Sequence, residues 1–74
     1  NVEGAVASLR KAVSLKNDDG EFHLDLAKAL EHTGEKEEAV KEYEKVIEIV
    51  SGLDRFREWE QYSKKRIAAL RGEE

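Results

Sequence analysis

Two histidines, His23 and His32, are the residues in this chain best suited to hold a metal or move a proton. They stand nine positions apart. On a helix that is about two and a half turns, on roughly the same side but separated by ~13 Å of rise, too far to share one ion. No His-x-x-x-His or Glu-x-x-His pair occurs, and Asp25 falls on a different helical face from His23. His23 therefore reads as a packed side chain and His32 as a residue suited to the negative end of a helix dipole. The serines Ser8, Ser14, Ser51 and Ser63 lack a glycine-flanked elbow that would expose a nucleophile. Cysteine is absent, which removes thiolate nucleophiles, thiolate metal ligands and disulfides. The five glycines are scattered and build no phosphate-cradling loop. The expectation is a protein that is not an enzyme and takes no metal or cofactor.

Charge narrows the partner class. Of the 74 residues, 41% are charged, and the formal net charge is −4. An acidic chain is a poor non-specific binder of nucleic acid, whose affinity rests on neutralising phosphates. Apolar runs are short, so no segment here inserts into a membrane as a helix. No signal-peptide pattern is present. The compartment stays open, with the cytoplasm as the expectation. The first residue is Asn1, and the expectation is an excised piece of a longer protein.

What must position any functional residues is a set of amphipathic helices. Residues 2–16 place Val2, Ala5, Val6, Leu9, Ala12 and Val13 at spacings of three and four, one face of a helix. Asn17-Asp18-Asp19-Gly20 breaks that helix, and Asp18 or Asp19 caps the next. Residues 20–32 repeat the pattern with Phe22, Leu26, Ala27 and Leu30, and end at Thr33-Gly34. Gly34 is placed to take a left-handed conformation, ending one helix and turning the chain into another. Glu35, Glu37 and Glu38 suit the positive start of that next helix, which runs over 36–50 with Ala39, Val40, Tyr43, Val46, Ile47 and Val50 inward. After Ser51-Gly52, with Asp54 as a cap, residues 54–71 give a fourth helix with Phe56, Trp59, Tyr62 or Ser63, Ile67 and Leu70 inward. The fold class is all-α: an array of antiparallel helical hairpins, about four helices in one small domain.

The chain also repeats itself. Residues 3–19 lie over 37–53 at an offset of 34, matching Glu3 to Glu37, Ala5 to Ala39, Val6 to Val40, Lys11 to Lys45 and Val13 to Ile47. With this register the chain resembles the tetratricopeptide repeat family. The resemblance makes 20–53 a full repeat, 1–19 the second helix of a truncated preceding repeat, and 54–74 a C-terminal capping helix and tail. A degenerate third repeat is the alternative for that last segment. The family's pattern of small and large residues falls on Leu26, Ala27, Leu30, Gly34, Ala39, Tyr43 and Val46. His23 stands where the family often has tryptophan, Ala27 for the usual glycine, Val46 for the usual alanine and Ser51 for the usual proline.

The resemblance implies a binding scaffold for a partner peptide or helix, lined by the first helix of the repeat. It places Glu21, Leu24, Asp25, Lys28, Glu31 and His32 in that groove. A clamp for a peptide's terminal carboxylate, used by one class of the family, is not expected, because the stripe has one lysine among three acids and no asparagine. A basic or amphipathic peptide suits it better. The alternative is self-assembly. The first helix lacks its repeat partner, so Val2, Val6, Leu9 and Val13 form a candidate face for a homo-oligomer. Residues 20–53 carry nine acids against four bases, while 54–74 carry six bases against five acids, with Lys64-Lys65-Arg66 as a basic patch. That asymmetry offers complementary contact with an acidic surface, including that of a second copy.

Overall fold

The computed structural model describes residues 2–72. Four α-helices follow one another: α1 (Val2–Leu15), α2 (Gly20–Thr33), α3 (Lys36–Val50) and α4 (Arg57–Arg71), with a short 3-10 turn at Asp54–Phe56 before α4. Each helix packs on the next, α1 on α2, α2 on α3 and α3 on α4. The result is a slab of about 31 × 29 × 15 Å. Side chains add a second layer of connections. Arg10 of α1 pairs with Glu38 of α3 at 2.8 Å, and Arg66 of α4 pairs with Glu31 of α2.

The turns follow from their residue types. Asp19 is the cap of α2: its Oδ1 accepts the backbone N–H groups of Glu21 at 2.9 Å and Phe22 at 3.3 Å. Two of the donors that a helix start leaves unpaired are thereby satisfied. Gly34 sits at φ 83°, ψ 10°. Its N–H donates to Glu31 O at 3.1 Å, and the next N–H, of Glu35, reaches back to Leu30 O at 2.9 Å. That pair of bonds is a Schellman closure, and it needs a residue that tolerates the left-handed region. One long rod is thereby turned into a hairpin.

The start of α4 departs from the sequence expectation. Asp54 does not cap it. The 3-10 turn intervenes, and the Asp54 carboxylate instead accepts from Arg57 Nη2 at 3.0 Å. Arg57, one turn ahead on the same side, captures the acid before a backbone N–H can.

The core lies between the hairpin helices and α4. Ala27 and Ala39 are fully buried, and so are Leu30, Tyr43, Val46 and Val50. Small side chains on α2 and α3 leave room for the large ones beside them. Of the two alternatives on α4, Ser63 turns inward and is fully buried, while Tyr62 stays exposed. Ser63 lies in register with Trp59, Ile67 and Leu70, which pack on the core, and the helix phase they set leaves Tyr62 to the side. The outward positions Arg57, Glu58, Gln61, Lys64 and Lys65 are all polar and exposed.

Candidate partner-binding face between α2 and α4

On α2, two parallel stripes run side by side. Positions 21, 25, 28 and 32 form one, and Glu21, Asp25, Lys28 and His32 are all exposed. Positions 20, 24, 27 and 31 form the other, one residue back, and that rotation of about 100° carries it inward. Leu24 is 5% exposed, beside the buried Gly20 and Ala27. Leu24 is therefore a core residue and does not line an open groove. Glu31 is half-buried for the same reason, and its carboxylate is already taken.

Glu31 is the most engaged polar group among the described residues. Its Oε1 accepts from Arg66 Nη2 at 2.5 Å and Nε at 3.1 Å, and its Oε2 accepts the hydroxyl of the fully buried Tyr43. Burial opposes charge on Glu31, but the hydrogen bonds from Arg66 and then Tyr43 outweigh it and hold the carboxyl below its ordinary value. Tyr43 is pushed well above the usual phenol range, first by burial and then by its bond to Glu31. Arg66 is pushed up by the same carboxylate. Arg66 is thus withdrawn from the basic run Lys64-Lys65-Arg66. Nothing in the run Lys64-Lys65-Arg66 singles out Arg66 for this, although the spacing of Tyr62 and Arg66 does put both on one flank of α4.

Tyr62 completes the face. Lys28 Nζ lies 5.2 Å from its ring centroid, a cation–π distance, and the ring meets Tyr43 edge-on at 6.0 Å. An exposed aromatic, a lysine resting on it and the acids Glu21 and Asp25, which have no ion pair among the described residues, therefore line one side of the slab, walled by the Glu31–Arg66 contact.

His23 belongs to the scaffold. It is 3% exposed, with Nδ1 2.6 Å from Glu42 Oε1 on α3 and Nε2 2.7 Å from the carbonyl of Asn17. A carbonyl only accepts, so Nε2 carries a proton, and the ring ties the α1–α2 turn to the hairpin. His32 stands exposed in the last turn of α2. Among the described residues, no group of three or more His, Asp or Glu side chains is arranged to hold a metal.

The candidate assembly face is split. Val6 is buried in the core, and Leu9 and Val13 are half-buried against it. Val2 is 44% exposed, and Leu15, not among the residues expected to form this face, is 75% exposed. Val6 belongs to the core cluster that α1 forms with α2, the helix that follows it, and is thereby removed from the free surface.

Antiparallel helices in file, closed by a glycine turn and tied by small residues at the crossing, define a helical-repeat protein. A family model described as tetratricopeptide repeat matches residues 1–52, and the chain belongs to that family. No curated protein and no solved structure shows a significant match to it. Repeats of this family generally mediate protein–protein interactions, and the family is a non-enzymatic one. No helix among the described residues is long and apolar enough to cross a membrane.

Proposed function

We propose that this chain is a protein-interaction module that receives a partner peptide or helix across the α2–α4 face. The observation that carries the reading is the exposed Tyr62 with Lys28 against it, flanked on α2 by the exposed acids Glu21 and Asp25. An aromatic at a rigid surface supplies contact area at low entropic cost, and the acids favour a basic or amphipathic partner. The candidate set is Glu21, Asp25, Lys28, His32 and Tyr62, with Glu31 and Arg66 as the fixed wall. Selection from a displayed peptide library tests it. Sequences enriched on the chain lose binding to Tyr62→Ala and Asp25→Lys at unchanged helicity; binding indifferent to both substitutions overturns the reading.

A second reading, self-assembly through α1, is favoured by the exposed Val2 and Leu15. Light scattering over a hundredfold range of concentration separates the two. A mass that rises with concentration and falls back with Leu15→Asp supports assembly through α1. A constant monomer mass removes it.

A further inference from the structure

A second cleft opens at the edge of the slab where the α1–α2 turn faces the start of α4. It is a shallow, open cleft of about 720 Å³. Its floor is apolar, made by Ile49 in the last turn of α3, Leu53 in the turn that follows, Phe56 of the 3-10 turn and Trp59 of α4. The two aromatic rings lie 4.6 Å apart at 31° and form one surface. Leu53 is 46% exposed, unusual for a leucine beside a core.

Gly20 shapes this floor. A Cβ on Gly20 would stand 3.2 Å from Val50 Cγ1 and 3.7 Å from Trp59 Cζ3. The bare backbone lets the start of α2 settle against α3 and α4, which brings the α1–α2 turn to the mouth of the cleft. That turn carries the charge. Asp18 and Glu21 stand exposed at the rim with no ion pair among the described residues, while Asp19 is occupied as the cap of α2. Lys16 opposes them on the rim, and the Arg55 guanidinium lies over the Phe56 ring, 4.9 Å from its centroid. The lining is thus an aromatic-aliphatic floor under a net negative rim.

The geometry points to a docking cleft for a short basic-apolar peptide segment, one Leu-sized or Phe-sized side chain flanked by Lys or Arg. The large side chain covers Leu53 and the Phe56–Trp59 surface, and the flanking cations meet Asp18 and Glu21. Burying such a side chain supplies the affinity, and the rim charges select the sign of the flanks. The cleft shares Glu21 with the α2–α4 face, but Asp18, Leu53 and Trp59 belong to the cleft alone, and Lys28 and Tyr62 do not line it.

Trp59 is the sole tryptophan of the chain and lines the cleft, so its fluorescence reports occupancy directly. The probe is a set of N-acetylated hexapeptide amides with Leu or Phe at the centre and Lys or Arg around it. A matched set carries Glu or Asp instead. The basic set produces a saturable shift of Trp59 emission with Kd below about 1 mM, the weak end expected for so small a ligand. Asp18→Lys and Leu53→Ala each weaken it by about fivefold or more, while Tyr62→Ala leaves it unchanged. No saturable shift up to about 1 mM, or an equal response to the acidic set, overturns the inference. A shift lost in Tyr62→Ala and kept in Asp18→Lys also overturns it, because the peptide then sits on the α2–α4 face.

Discussion

Glu31 and Arg66 lie 35 residues apart in sequence, yet the guanidinium of one grips the carboxylate of the other through two nitrogens. The contact joins α2 to α4 across helices that do not follow each other. Both partners are shielded, with side chains 15% and 35% exposed, and Tyr43 holds the second carboxylate oxygen from below. Removing the cation leaves a half-buried carboxylate with only a phenol to answer it. Arg66→Ala therefore lowers unfolding stability by about 1–3 kcal/mol. Lys65→Ala, at an exposed position with no ion pair among the described residues, changes it by about 0.5 kcal/mol or less. Urea titration of the two variants checks the contrast, and equal effects would refute it.

The same cluster sets a pH dependence. The folded-state pKa of Glu31 lies below its ordinary value of 4.5. The unfolded chain therefore binds the proton more readily, and the contribution is present above pH 4.5 and lost as pH falls through the lower folded value. Glu31→Gln is less stable than the parent at neutral pH and loses less stability as pH falls below 4.5. Parallel acid slopes for parent and variant would show that Glu31 does not carry the effect.

At the alkaline end Tyr43 has the opposite sign. Its folded-state pKa is raised above the ordinary 10.0, so its contribution is complete below that pH and lost as pH rises beyond it. In Tyr62→Phe, Tyr43 is the remaining tyrosine, since the chain has two. Tyrosinate absorbance then appears together with loss of helical circular dichroism. Its appearance in a chain that is still fully helical would contradict the burial of Tyr43.

The hairpin was legible in the sequence because its signals are local. Gly34, the spacing of Leu26, Ala27 and Leu30, and the matching run from Ala39 to Val50 each specify their element without reference to anything distant. The α2 stripe was half legible. Helical spacing puts 21, 25, 28 and 32 on one exposed stripe, but Leu24 and Glu31 are one residue out of phase with it, and that small rotation decides between surface and core. Tyr62 and Arg66 were not legible as part of the face. Their roles depend on how α4 rotates as it packs on α3, and the pattern at 62–63 allows either residue inward. Asp54 was misplaced because a cap and a side-chain ion pair look alike in sequence until the turn geometry is fixed.

Ser63 marks a place where the fold is not optimal. Its side chain is fully buried, and its Oγ has no hydrogen-bond partner among the described residues. A hydroxyl taken from water without replacement is unfavourable, while a methyl group in the same space is not. Ser63→Ala raises stability by about 1 kcal/mol and leaves helicity unchanged. A loss of stability would mean that the hydroxyl is satisfied in solution.

Gly34 offers a test of the backbone alone. A side chain there meets nothing within 4 Å, so any effect of substitution comes from φ and not from crowding. With φ at 83°, a β-carbon is strained, and Gly34→Ala destabilises the chain by about 1–2 kcal/mol. Asn tolerates the left-handed region better, so Gly34→Asn costs less than Gly34→Ala. That order, read from urea midpoints, is specific to a left-handed turn. If Ala were equal to or better than Asn, the intrinsic preference for a continuous helix would have won, and α2 and α3 would not meet at Gly34 as a closed hairpin.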